Sequence, residues 1–133
     1  MMLPSEVRRN RGETSIQAVL LVPVVLGIFF LGVHATALIH GAHVANAAAI
    51  RGAQIAAFSN SEGNDVVRAM NEMEQVVSDL GSHMYSAPSL EIGSKAVLVT
   101  VSVAVKSIVP FLPTAVTRSA TVSREQFLME QNR

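Results

Sequence analysis

The chain has 133 residues, no net formal charge and no cysteine, and 50% of its residues are hydrophobic against 15% charged. A length of this order allows one domain and an anchor. The neutral balance argues against nucleic acid as a partner, since that would need a basic face. The lack of cysteine excludes disulfide bonds and thiolate metal sites.

The first predicted element is an apolar helix that follows a basic segment. Residues 18–39 contain no charged side chain, and only His34 and Thr36 among them are polar. As a helix these 22 residues would measure about 33 Å, which is enough to cross a hydrocarbon core of about 30 Å. We therefore predict a transmembrane helix here, with Pro23 inside it.

The orientation of this helix follows from the distribution of arginine. Arg8, Arg9 and Arg11 lie just before the apolar run, and the next basic residue is Arg51. Positive charge is retained on the cytoplasmic side of membranes. We expect a single-pass protein of the plasma membrane with a cytoplasmic N-terminus and an extracytoplasmic C-terminal part.

The helix is predicted to continue beyond the lipid. Residues 40–58 contain eight alanines and no proline, and alanine is the best helix former. One long helix over residues 13–58 is therefore expected, with about half of it outside the membrane. The turn-forming residues 59–64 would end it.

The remainder predicts a small α+β domain over residues 59–133. An amphipathic helix should begin near Asn64 and stop at Gly81 as its C′ residue. Residues 82–89 suggest a loop, and residues 90–92 a short strand.

Strict alternation of valine over residues 96–106 is the clearest strand signal in the chain. Residues 107–113 include two prolines and suggest a connection, and residues 114–124 a further strand. We expect an antiparallel meander of two or three strands, with its valine face covered by the two helices. Residues 125–133 would form a polar tail.

A search for chemistry finds no pattern that predicts catalysis. His40 and His43 are spaced i, i+3, but no carboxylate or thiol nearby completes a zinc site, so a polar rim at the membrane surface is favoured. Glu72 and Glu74 would point to different helix faces and form no acid–base pair. Neither a serine nucleophile elbow nor a phosphate-binding glycine loop occurs. We predict no catalytic, cofactor or metal residue.

One stretch resembles a known family. The sequence RGETSIQAVLLVPVVL, residues 11–26, is similar to the N-terminus of the TadE-like proteins, which are minor pilins or pseudopilins of the tight-adherence (Tad or Flp) pilus. The alanine-rich segment around Gly52 and Ala53 is also similar to that family. Residues 112–127 resemble the actinobacterial forms.

The resemblance implies cleavage by a prepilin peptidase between Gly12 and Glu13, which makes residues 1–12 a basic leader. It also implies other pilins or pseudopilins and the inner-membrane pilus assembly platform as partners. Pilin-like proteins usually carry glutamate five residues after the cut, for pairing with the N-terminal amine of a neighbouring subunit. Here that residue is Gln17, whose neutral amide cannot form a charge-assisted bond.

Two other interpretations stay open. The sequences preceding Leu38 and Ala48 fit the small-x-small rule of signal peptidase, so cleavage after Ala37 or Ala47 would release a secreted or periplasmic binding protein. An unrelated single-pass accessory subunit would keep its anchor uncut.

Overall fold

The computed structural model describes residues 10–58 and 63–124, apart from the side chains of residues 10–14. It contains a long helix, a shorter helix and a small antiparallel sheet, so the predicted α+β class is confirmed. The elements are α1 (Asn10–Phe58), α2 (Gly63–Asp79), β1 (His83–Met84), β2 (Ser89–Ile92), β3 (Ala96–Ala104) and β4 (Ala115–Ser123).

Helix α1 is continuous over 49 residues and passes through Pro23. It ends at Phe58, as predicted, and begins at Asn10, so helical backbone extends into the predicted leader. Residues 10–13 contain no proline, and a single glycine costs only about 1 kcal/mol relative to alanine in a helix. No residue in this short segment is therefore strong enough to stop the helix at Glu13.

The end of α2 confirms the predicted role of Gly81, which has a positive φ of 72°. The Ser82 amide donates to the Val77 carbonyl at 3.0 Å, and the Gly81 amide donates to the Ser78 carbonyl at 2.9 Å. These two bonds form a Schellman motif, which satisfies carbonyls that the helix end would otherwise leave unpaired.

The sheet is built around β3. Strand β4 pairs with β3 over its whole length, from Ala96 opposite Ser123 to Ala104 opposite Ala115. Strands β1 and β2 both pair with the opposite edge of β3. Strand β1 pairs with the C-terminal end of β3, and β2 pairs with its N-terminal part.

Two predictions about this edge were wrong. Residues 82–89 contain β1 and are not all loop, and the sheet has four strands, not two or three. A two-residue strand has too short a pattern to be visible in sequence. It forms here because the C-terminal end of β3 offers backbone partners to His83 and Met84.

The core lies between the valine face of β3 and the outer half of α1, which covers that face as predicted. Helix α2, which was predicted to share in covering it, packs mainly against α1 instead. Four alternate β3 valines are fully buried, and burying a valine contributes roughly 1.5–3 kcal/mol. The opposing α1 side chains are mostly alanines, which let the helix approach the sheet closely. The buried cluster from these two elements is Val44, Ala45, Ala48, Ala49, Ala53, Ala56, Val97, Val99, Val101 and Val103.

Two glycines of α1 mark close approaches. A Cβ built on Gly52 would lie 2.6 Å from Met73 Cγ on α2, and one on Gly41 would lie 2.8 Å from Val105 Cγ2. Such contacts are too short for real side chains, so glycine at these positions allows α2 and the sheet to pack against α1. Beside the first crossing, Arg51 Nε lies 3.8 Å from Glu72 Oε2; a surface pair of this kind contributes less than about 1 kcal/mol.

Candidate membrane anchor

The first half of α1 buries none of its described side chains against the rest of the protein. Every residue from 15 to 33 is exposed, including Leu20, Ile28 and Phe29. The helix has an 18-residue window of mean hydropathy 2.6, none of it buried, and it is long and apolar enough to cross a membrane. A core helix of a soluble protein would bury these side chains, so the structure supports a single membrane-anchoring helix.

The change from exposed to packed helix occurs at His34. This residue is only 5% exposed, and both ring nitrogens are buried without a hydrogen-bond partner. From there the buried face continues through half-buried Ala37 and Leu38 to buried Gly41. These positions recur at three- and four-residue spacing, which places them on one side of a helix.

Polar side chains gather just after this transition. A shallow pocket between α1 and the membrane-proximal end of the sheet is lined by His40, His83 and Lys106, among others. The Leu80 carbonyl at the end of α2 accepts a hydrogen bond from His40 Nε2 at 3.3 Å. We call His40, His83 and Lys106 the polar rim.

Beyond the rim, the connection between β3 and β4 extends beside the exposed half of α1. We call residues 107–113 the apolar loop. Ile108, Val109 and Pro110 face Gly27, Ile28 and Leu31 of α1 across an open groove with an almost wholly apolar lining. The helix positions that line this groove lie within the predicted transmembrane segment.

The predicted site residues are not gathered into one place. Arg8 and Arg9 lie outside the described residues. Arg11, Gly12 and Glu13 have helical backbone. Gln17 is exposed on the same helix, ahead of the apolar run.

The two histidines that the sequence predicts at the membrane surface come just after the apolar segment of α1. His40 and His43 are both exposed, beyond the apolar segment. Among the residues with described positions, no three or more His, Cys, Asp or Glu side chains come together as a metal site would require.

Sequence reasoning missed two features of the anchor. Burial of His34 was not expected, because the sequence does not show which face of the helix packs against the domain. The apolar loop was classed as a connection because of its prolines. Its signal was present in the six consecutive apolar residues 108–113.

Comparison with known proteins adds no assignment. No protein-family model matches the chain. No curated protein and no solved structure matches it either.

Proposed function

We propose that this protein is a membrane-anchored minor pilin or pseudopilin-like component of a Tad/Flp pilus assembly system. Its role is structural and not catalytic. A prepilin peptidase cuts after Gly12, the N-terminus faces the cytoplasm, and the folded domain stands outside the plasma membrane. The proposal is carried by one arrangement: a basic Arg-Gly-Glu junction joined directly to an exposed apolar helix whose outer half is part of the domain core.

Retention of the whole helix is favoured over removal by signal peptidase. Cleavage after Ala47 would remove Val44 and Ala45, which belong to the core. Cleavage after Ala37 would remove the α1 residues that face the apolar loop across the groove. The cut after Ala47 would expose core surface that the intact chain covers, and the cut after Ala37 would remove the buried His34 from the interface with the domain.

Partner pairing would involve the start of the mature helix. Gln17 becomes the fifth residue after cleavage, and its side chain is exposed. An amide at this position can hydrogen-bond to a neighbouring pilin but cannot neutralise its N-terminal amine. The protein would then associate with other pilins through contacts weaker than those of a glutamate-bearing subunit.

The decisive measurement is the intact mass and N-terminal sequence of the membrane-bound protein, produced with and without a prepilin peptidase. We expect a start at Glu13 only when the peptidase is present. A start at Leu38 or Ala48 would instead identify a signal-peptide substrate. An uncut N-terminus in the presence of active peptidase would favour an unrelated single-pass subunit.

A glycine pair provides a matched control. Gly12→Val places a branched side chain at the cut and should abolish processing, because a narrow protease cleft must admit the backbone there. Gly32→Val makes the same change where a Cβ meets nothing within 4 Å, and processing should be unchanged. Equal processing of the two variants would contradict cleavage at Gly12.

A further inference from the structure

The apolar loop exposes large hydrophobic side chains at the membrane-facing end of the domain. Phe111 is fully exposed, at 104% of its reference area, and Ile108 is 64% exposed. Single exposed apolar residues are ordinary on protein surfaces, but a contiguous exposed patch indicates a binding surface. The loop therefore needs an apolar environment that the rest of the domain does not supply.

We propose that the apolar loop inserts into the lipid bilayer beside α1, so that the protein is held by one helix and one loop. The inference rests on the proposed membrane anchoring and adds a second, non-helical contact with lipid. Its occupant is the outer part of the acyl-chain region of the bilayer, which the apolar side chains of the loop would enter and which would also fill the open groove between the loop and α1.

The level of the loop relative to the helix supports this assignment. Lys106 belongs to the polar rim, and the Val105 amide donates to the Thr114 carbonyl at 2.7 Å, which closes the β3–β4 ladder there. Residues 108–112 form bends and a turn and are not fully extended, yet Ile108, Val109 and Pro110 line one groove with Leu31 of α1. Leu31 lies nine residues before His40, or about 14 Å along the helix.

Some polar groups of this region are already satisfied within the protein. Hydrocarbon offers no hydrogen bonds, so backbone and hydroxyl groups there must be satisfied within the protein. The Ser107 hydroxyl donates to the Val109 carbonyl at 2.6 Å, and the Thr36 hydroxyl donates to the Gly32 carbonyl at 3.0 Å. Pro110 and Pro113 have no amide hydrogen to satisfy, but the amides of Ile108, Val109 and Phe111 have no backbone partner among the described residues. The loop backbone therefore belongs at the level of the lipid headgroups, where water and headgroups accept hydrogen bonds, while its apolar side chains reach the acyl chains.

The backbone at Phe111 points to the same conclusion. Its φ is 71°, and it is the one residue other than glycine with a positive φ among residues 10–58 and 63–124. A bulky residue in this region costs on the order of 1–3 kcal/mol, and such strain persists where function maintains it. Here it accompanies a ring that is turned fully outward, and burial of that ring in lipid would offset the cost.

Single-cysteine variants test the insertion directly, because the chain has no cysteine of its own. The full chain carrying Phe111→Cys is labelled with an environment-sensitive fluorophore and reconstituted into phosphatidylcholine–phosphatidylglycerol vesicles. Quenching is measured with lipids that carry a nitroxide on the acyl chain. Val25→Cys, in the exposed apolar helix, and Ser119→Cys, on the exposed part of β4, are the controls.

We expect quenching at position 111 to be within about twofold of that at position 25 and several-fold above that at position 119. Strong quenching at 25 with weak quenching at 111 would overturn loop insertion and leave the anchor intact. Weak quenching at both would overturn the proposed anchoring itself. Blue-shifted emission at 111 without acyl-chain quenching would show that a second copy of the chain covers the loop, which also contradicts the proposal.

Discussion

The two halves of α1 use one backbone conformation in two different ways. Residues 15–33 carry large side chains around the whole circumference, and all of them are exposed. Residues 34–58 carry mainly small side chains, and one face is buried against the sheet and α2. Helix formation is common to both halves; they differ in the size of the side chains and the partners that these permit.

This difference shows that composition encodes the surroundings of a helix as well as its existence. Alanine and glycine bury little area themselves but let neighbouring elements approach closely. Leucine, isoleucine and phenylalanine directed to every side are not buried by the domain and suit lipid. Substitutions at the packed half or its interface should therefore change stability more than comparable substitutions in the exposed half.

The largest effect is expected from truncating Met73, a side chain of α2 that packs against the second half of α1. Met73 is fully buried against Gly52, so Met73→Ala should lower the free energy of unfolding by about 2–5 kcal/mol through lost burial and a residual cavity. Leu21→Ala, in the exposed half, should change it by less than about 0.5 kcal/mol. Urea unfolding of the detergent-solubilised protein, followed by circular dichroism, compares the two. Similar losses would contradict the division of α1 into two environments.

A smaller loss is expected when one methyl group is added to each half. Gly52→Ala should cost about 1–3 kcal/mol, because the new Cβ overlaps the Met73 side chain and this outweighs the gain in helix propensity. Gly32→Ala meets open space and should be neutral or slightly stabilising.

The double variant Gly52→Ala/Met73→Val separates a local clash from a general effect on the helix. The overlap is a property of the pair, so the double variant should be more stable than the sum of the two single losses implies. Strict additivity in the same urea experiment would show that Gly52 is not needed for the α1–α2 crossing.

The smallest effect is expected at the junction of the halves, and it has the opposite sign. A buried polar group without a partner costs about 1–3 kcal/mol, so His34→Leu should raise the free energy of unfolding by about 1 kcal/mol. His43 is exposed and lies about three turns beyond the exposed half. His43→Leu should therefore leave the free energy of unfolding unchanged. Destabilisation by His34→Leu would mean that the imidazole has a polar partner when the protein is in a membrane.

The parts of the fold that repeat a period were predictable from sequence. The valines of β3, the apolar stripe of α2 and the uncharged run of α1 each recur at the spacing of their element. Gly81 was predictable as a helix stop because the left-handed conformation it adopts favours glycine.

The parts that depend on a distant partner were not predictable. Strand β1 exists through pairing with the end of β3, and Gly52 is explained by Met73 on another helix. The position of the apolar loop along α1 is set by the point at which the pairing of β3 with β4 ends. Of the candidate site, the anchor could be predicted from composition, whereas the residues of the apolar loop, read singly, indicated only a turn.

Because α1 is one unbroken helix, an insertion within it rotates its two halves relative to each other. A residue inserted between His34 and Gly41 would turn the two halves by about 100° and separate them by only about 1.5 Å. Seven inserted residues would lengthen the helix by about 10 Å yet restore the angle to within about 20°. The first change would turn the apolar loop away from the helix residues that face it, and the second would raise the sheet and the loop together while nearly keeping their direction. Angular phase, more than length, therefore decides on which side of the exposed half the apolar loop lies.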